Sequence, residues 1–187
     1  MKATDLLVSQ HREVEKLFKR IEKSDDPKEQ RALFDELATL LVAHDGIERE
    51  LFYPAAEKAM GMQDILGESL VEHGMVEFAL YVADEARMKK GFHHRVTVLQ
   101  EIVEHHVKEE ESELLPKVKK ALSAEENETL GMEMEEKFEA SKQEPYRGPL
   151  HENLQQVLEG AMKTKPAPWT TANGSGAKSP RVSATRR

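Results

Sequence analysis

Four histidines interrupt the apolar faces of predicted helices, and a glutamate follows three of them by four residues. The apolar residues recur at three- and four-residue steps, which is the helical period. The histidines on these faces are His11, His44, His73 and His106, and the glutamates are Glu48, Glu77 and Glu110. A buried imidazole or carboxylate costs several kcal/mol unless it is paired or bound to a metal. The pattern therefore indicates that these side chains share a common partner, and a metal is the simplest one.

Two of the histidine–glutamate pairs are copies of one motif. In each copy a glutamate stands four residues after the histidine and a proline ten residues after it, with an apolar pair just before the proline; the copies span residues 44–54 and 106–116. Because residues i and i+4 share a helix face, one helix can offer an imidazole and a carboxylate to the same ion or to adjacent ions. The repeat also selects His106 over its neighbour His105, which lies one position round the helix.

The donor atoms set the chemistry that such a cluster can support. The chain has no cysteine, which excludes thiolate metal sites, cysteine-ligated iron–sulfur clusters and disulfides. Imidazole and carboxylate donors suit iron, manganese or zinc. Two carboxylates that can bridge, surrounded by histidines, suit a pair of metals. The sequence contains no phosphate-binding loop, dinucleotide-binding turn, serine nucleophile elbow or zincin motif, so those reaction classes lack support.

Four long helices must position these residues. The first is predicted to stop at residues 24–27, the second to end near Gly61, the third to run from about residue 63 to 89 with Gly91 as its C-terminal cap, and the fourth to run from about residue 92 to 122. Aromatic residues make up only 5% of the chain, which argues against an all-β fold. Short connections make neighbouring helices antiparallel, so the predicted fold is all-α, an up-down-up-down four-helix bundle. A rise of about 1.5 Å per residue then puts the four histidines within about 12 Å of one another along the bundle axis.

The sequence divides into three predicted parts. Residues 1–122 are expected to form the bundle, and Ser123 with Glu126 forms a capping box that starts an additional C-terminal helix, to about Ala140, packing outside it. Residues 123–162 are expected to be an additional helical segment that packs on the bundle. Residues 163–187, rich in proline, glycine and serine, are expected to be a disordered basic tail.

Charge and hydropathy limit the partners. Residues 161–187 hold six basic and no acidic side chains, which leaves 35 acidic and 21 basic side chains in the first 160 residues. The acidic body argues against nucleic acid as a main partner, apart from weak contact through the basic tail. The sequence shows neither an apolar run of about 18 residues nor a signal peptide, so we expect no membrane association and a cytoplasmic location.

The order of these motifs resembles the hemerythrin-like, or HHE cation-binding, domain family. The residues that carry the resemblance are His11, His44-x-x-x-Glu48, His73 and His106-x-x-x-Glu110, within roughly residues 2–120. The resemblance implies a non-haem diiron centre in which Glu48 and Glu110 bridge two irons and the four histidines are terminal ligands. It also implies O2 or peroxide as the small-molecule ligand, in activities that include reversible O2 binding, O2 or redox sensing, iron storage and peroxide decomposition.

The chain departs from the oxygen-carrying hemerythrins at Glu77, where those proteins have a second histidine one turn after the third-helix histidine. An acid here can ligate iron, accept the proton of a ligand histidine or reach solvent, and the sequence leaves these roles open. A harder, more oxygen-rich site favours Fe(III) and catalase-like or ferroxidase-like chemistry. The expected function is therefore peroxide detoxification or iron and oxygen handling. Reversible O2 binding or sensing without turnover is the alternative, and a metal-free helical interaction domain is the third.

Other conspicuous residues have simpler explanations. The remaining histidines, His93, His94, His105 and His151, are predicted to lie on the surface. Tyr53 and Tyr81 fit core packing better than a redox role.

Overall fold

Helices account for all the regular structure in residues 1–87 and 89–158, the part of the chain that the computed structural model describes. Four helical columns form the bundle: α1 (Ala3–Lys23), α2 (Pro27–Ile47) continued by α3 (Tyr53–Met60), α4 (Asp64–Glu85), and α5 (Phe92–Glu109) continued by α6 (Leu115–Ala121). Helices α3 and α6 pack against each other, so the second and fourth columns end at the same end of the bundle. The predicted all-helical bundle is confirmed, and the predicted disordered tail, residues 163–187, lies outside the described residues.

The predicted cap of α2 forms, and the predicted cap at Gly91 does not. Asp26 caps α2 by accepting the backbone N–H of Lys28, and a proline occupies the first position of that helix, as predicted. Gly91 does not cap the third column, because α4 already ends at Glu85. Gly91 instead precedes α5 with a φ of 91°, a left-handed conformation that a glycine adopts without strain.

Both copies of the sequence motif contain a π-helical turn. One spans Glu48–Phe52 and the other Glu110–Leu114, so each begins at the motif glutamate and ends two residues before the motif proline. A proline has no N–H for the carbonyl four residues back, and its ring crowds that carbonyl. The helix therefore takes in one extra residue, and the N–H of Tyr53 bonds the carbonyl of Glu48 five residues earlier. The repeated proline thus explains why the helix widens at each glutamate.

Two apolar clusters fill the bundle, and a polar layer separates them. One cluster includes Val14 and Leu41, and the other includes Leu7 and Ile47. Between these apolar positions α1 and α2 bury polar side chains, with His11 and His44 as examples. The same change from apolar to polar and back occurs along α4 and along the column of α5 and α6. The polar layer is therefore enclosed by hydrophobic packing at both ends.

Two further helices pack on the outside of the bundle. Helix α7 (Ala124–Ser141) contacts α1 and α2, and it begins with the predicted reciprocal capping box of Ser123 and Glu126. A side chain at Gly131 would collide with the backbone of the N-terminus, since an added Cβ would lie 2.1 Å from the carbonyl oxygen of Met1. The glycine therefore lets α7 approach the start of α1 closely.

Helix α8 (Arg147–Leu158) packs against α4, on another face of the bundle. The sequence pattern predicts one additional helix with a defined start, and the structure adds this second one. Pro149 lies in its first turn, where a backbone N–H has no intrahelical acceptor, so the proline is tolerated. Within the described residues, no helix is both long enough and apolar enough to cross a bilayer.

Candidate metal centre

The six predicted ligands converge in the polar layer, and all are buried. Their donor atoms form two groups, and in each group they lie within 4.8 Å of one another. The first position consists of His11, His44, Glu48 and Glu110, and the second position of Glu48, His73 and His106. Glu48 is common to both and is 0% exposed, whereas Glu110, which the resemblance implies as a second bridge, belongs to the first group only. The structure therefore brings together every predicted histidine and both motif glutamates around one shared carboxylate.

The inward-facing atoms of the histidines are their Nε2 nitrogens. His44 Nε2 and His73 Nε2 each lie 3.2 Å from Glu48 Oε2, so this oxygen stands between the two positions. His11 Nε2 lies 3.2 Å from Glu110 Oε2. His73 Nε2 and His106 Nε2 are 3.1 Å apart, with their rings perpendicular. Imidazoles of α1, α2, α4 and α5 thus point at a common centre.

An oxygen acceptor holds the outer nitrogen of each imidazole. The Nδ1 pairs are His11 with Glu111 at 2.9 Å, His44 with Gln10 at 2.7 Å, His73 with Asp45 at 2.5 Å and His106 with Glu72 at 2.8 Å. An oxygen acceptor at Nδ1 keeps the proton on that nitrogen and leaves the Nε2 lone pair directed inward. This is the usual arrangement of histidines that bind metals.

Several of the inward-facing atoms have no hydrogen-bond partner among the described residues. Neither carboxylate oxygen of Glu48 or Glu110 has a hydrogen-bond partner among the described residues, and nor does His11 Nε2. The lone pairs of His73 and His106 face each other across 3.1 Å. Buried polar atoms without partners are costly and rare in folded proteins. A cation among them would satisfy all of these atoms, so the residues fit a metal centre.

The pKa values of the buried groups also indicate that a compensating positive charge is missing from the site. Burial, reinforced by the negative charge of Glu110, raises the pKa of Glu48 well above its ordinary value. Burial, with the neighbouring His11 adding to it, lowers the pKa of His44 well below its ordinary value. The His44 ring is therefore neutral near pH 7 and keeps its lone pair for a ligand bond. A bound cation would oppose the shift at Glu48, because it favours the ionised carboxylate.

Glu77 lies outside both groups. It is buried and faces Arg49, with Arg49 Nη2 at 2.9 Å from Glu77 Oε2. Arg49 Nε lies 2.8 Å from Asp45 Oδ1, so the guanidinium stands between two carboxylates. Burial, with the charge of Asp45 adding to it, raises the pKa of Glu77 to about 7. Glu77 thus contacts the residues behind His73 rather than the inward-facing donor atoms.

Tyr53 is a residue of the site that sequence reasoning assigned to core packing. Its hydroxyl lies 2.7 Å from His73 Nε2, and the two rings are perpendicular. Burial raises the pKa of Tyr53 well above its ordinary value, so the phenol carries its proton in the absence of a metal. The sequence does carry a signal: the two motif copies differ here, with Tyr53 in one and Leu115 in the other.

The other histidines stand apart from the centre. His93, His94, His105 and His151 are all exposed, as predicted. His105 also lies near two carboxylates in a third group with Glu72 and Glu109. The His105 side chain is 64% exposed, however, in contrast to the enclosed histidines of the two positions.

Comparison with known proteins agrees with this geometry. A family model described as the hemerythrin HHE cation-binding domain matches residues 2–118. A crystal structure of an HHE cation-binding domain-containing protein from Mycobacterium kansasii superposes with a TM-score of 0.67, at 24% identity, over 86% of this chain and 94% of that chain. At that identity the likeness supports the fold.

A curated relative has a different description. A protein from Nostoc sp. (strain PCC 7120 / SAG 25.82 / UTEX 2576) named DNA nickase is 29% identical over 145 residues. The match covers 76% of this chain and 39% of that protein, so the chain spans well under half the length of this relative.

Proposed function

The chain belongs to the hemerythrin HHE cation-binding domain family, and from this membership we propose that it is a non-haem diiron protein that reacts with peroxide or O2. The observation that carries the proposal is the set of buried, inward-facing donors, in which both carboxylates and His11 Nε2 have no hydrogen-bond partner among the described residues. These donors are two carboxylates and four imidazole nitrogens, in two groups that share Glu48. The function would be peroxide detoxification or iron and oxygen handling.

The donor set supports iron as the metal. It contains imidazole nitrogen and carboxylate oxygen and no sulfur, because the chain has no cysteine. Such donors suit iron, and they also accommodate manganese or zinc. The two positions share one carboxylate, as expected for a pair of ions held side by side. The Tyr53 hydroxyl, 2.7 Å from His73 Nε2, lies beside the second position.

The second position would leave coordination sites of its metal open to a small ligand. Its protein donors are Glu48, His73 and His106, because Glu77 is engaged with Arg49. Two histidines and one carboxylate around iron leave positions open for oxygen chemistry. When bound, an iron pair supplies two exchangeable electrons for the reduction of O2 or the disproportionation of peroxide. The burial of the ligands excludes large substrates, and the Tyr53 hydroxyl holds a proton beside the open side of His73.

An oxygen electrode tests the proposal directly. The full chain is loaded anaerobically with Fe(II), freed of excess metal and mixed with hydrogen peroxide. Disproportionation gives one O2 and two waters from two peroxides, so we expect steady O2 release over many turnovers. The variant His106→Ala should lose this activity. The matched control is His105→Ala, which removes the exposed neighbour of the same type and should retain it.

The same loaded protein distinguishes the alternatives. A visible spectrum that changes reversibly with O2, without O2 release from peroxide, would assign the protein to O2 binding or sensing. A chain that retains no metal after loading, with a folded circular dichroism spectrum, would leave a helical interaction domain. Equal O2 release from wild type and His106→Ala would contradict the assignment of the centre.

The name of the Nostoc relative supplies a second candidate, the hydrolysis of a DNA phosphodiester bond. A pair of metal ions can hold the attacking and leaving oxygens of such a reaction. Two observations oppose it here: the ligands are buried, and the first 160 residues are strongly acidic. Incubation of supercoiled plasmid with the iron-loaded or magnesium-supplemented chain tests it, and nicked circles absent from the His106→Ala control would support this candidate.

A further inference from the structure

The Asp45 carboxylate orients His73 from behind, and three protein groups contact it. Its Oδ1 accepts from His73 Nδ1 at 2.5 Å and lies 2.8 Å from Arg49 Nε in an ion pair. Its Oδ2 accepts from Asn153 Nδ2 at 3.2 Å. Asp45 is only 6% exposed, so these protein groups largely fix its orientation. The direction of the His73 ring therefore depends on what holds Asp45.

Asn153 lies beyond the stretch that the family model matches. It lies on α8, and the family match ends at residue 118. Its side-chain amide donates to Asp45 Oδ2. Helix α8 therefore supplies a polar contact 108 residues away in sequence, immediately behind the second position.

Contacts away from the centre fix the position of α8. Leu150 and Leu154 are buried on the inner face of the helix. At its start, the Tyr146 hydroxyl donates to Asp84 Oδ1 at 2.7 Å and Arg147 Nε donates to Asp84 Oδ2 at 2.9 Å. Because these contacts involve neither Asp45 nor a ligand, α8 presents Asn153 from a scaffold that does not depend on the metal.

We infer that Asn153 is a positioning residue for the second metal position, acting through Asp45 on His73. The inference rests on the proposed function, since it concerns the ion that His73 would hold. The first position has no such link, because Gln10 and Glu111 hold its histidines. Residues that orient ligand histidines typically change metal affinity by about 10–100-fold when they are removed. Loss of the Asn153 amide should therefore weaken the binding of one ion and leave the binding of the other unchanged.

The test is the rate at which each ion leaves the full chain. Wild type, Asn153→Ala and Tyr146→Phe are loaded with Fe(II) anaerobically, or with Co(II), whose visible bands report the ligand geometry. A chelator is then added in a stopped-flow instrument. Tyr146→Phe is the matched control: it loosens the start of α8 by removing the hydroxyl bond to Asp84 and leaves Asp45 untouched.

We expect two phases of release from wild type. In Asn153→Ala one phase should become about tenfold faster while the other keeps its rate, with a change in the Co(II) bands. Tyr146→Phe should lower the melting temperature and leave both phases unchanged. Unchanged phases in Asn153→Ala, or the same acceleration in Tyr146→Phe, would overturn the inference while the diiron proposal stands. A wild-type chain that holds no metal would overturn both.

Discussion

The two candidate metal positions share Glu48 but differ in what stands behind their histidines. Behind the first position are the neutral amide of Gln10 and the carboxylate of Glu111, which pairs with the half-exposed Arg12. Behind the His73 side of the second position is a buried network of Asp45, Arg49, Glu77 and Asn153. Similar inward donors thus have unequal support. We expect the second position to be the more rigid of the two.

The difference arises although two helices carry the same motif. Both copies place a histidine, a glutamate and a π turn in register. The residue after the histidine is Asp45 in one copy and Val107 in the other. The inward donors therefore follow from the repeat, while the outer support follows from residues that the repeat does not include.

The largest effect is expected from the shared carboxylate. Glu48→Ala removes a donor from both positions, so metal content should fall from about two ions per chain to near zero. Glu110→Ala removes a donor from the first position alone and should leave about one ion. Elemental analysis of both variants, with circular dichroism as the folding control, makes the comparison. Two ions in Glu48→Ala would show that the positions do not share it.

Removal of the metal should loosen the first position more than the second. A ligand present at 1,000 times its Kd contributes about 4 kcal/mol to stability, so chelation should lower the melting temperature clearly. Hydrogen exchange of the chelated protein should then rise more around Gln10 and His11 than around Asp45 and Arg49. Equal increases in hydrogen exchange in the two segments would contradict the expectation that the second position is more rigid.

The residues behind the histidines should show a graded effect. Asp45→Asn removes the charge that orients His73, and it should lower the affinity for one ion by about 10–100-fold. Gln10→Ala removes a neutral acceptor from His44, and the resulting loss of metal affinity should be smaller, below about tenfold. Competition titrations with a chromophoric chelator measure both constants. The comparison fails if Gln10→Ala has the larger effect.

The smallest effect is expected at Glu77. Because Glu77 faces Arg49 rather than the inward donors, Glu77→Gln should keep both ions and an almost unchanged visible spectrum. Metal analysis and absorption spectroscopy of the loaded variant check this. Loss of an ion, or a new spectrum, would mean that Glu77 is itself a ligand.

Much of the fold could be predicted because its signals are local. Helical periodicity, the Asp26 cap and the Ser123 capping box each depend on residues within a few positions of one another. The role of Gly91 could not be predicted, because a left-handed glycine serves equally at the end of one helix or before the next. Helix α8 was not distinguished as a separate helix, since its apolar contacts depend on the surface of α4.

The inward donors of the site were also predictable, because histidines on apolar faces stand out in sequence. The contacts of the residues behind and beside these donors could not be predicted. The partner of Glu77 is Arg49, which is adjacent in sequence to a ligand but lies on another helical column from Glu77. The inward direction of Tyr53 likewise depends on the rotation of the helix at the π turn. Such contacts are set by how whole helices face one another, which no single stretch of sequence records.

The most direct test of the account is the number of iron ions per chain, by elemental analysis of the full chain purified without a histidine tag. We expect about two irons per chain, because two groups of donors share one carboxylate. No retained iron after anaerobic loading with Fe(II), in a chain that is folded by circular dichroism, would contradict it.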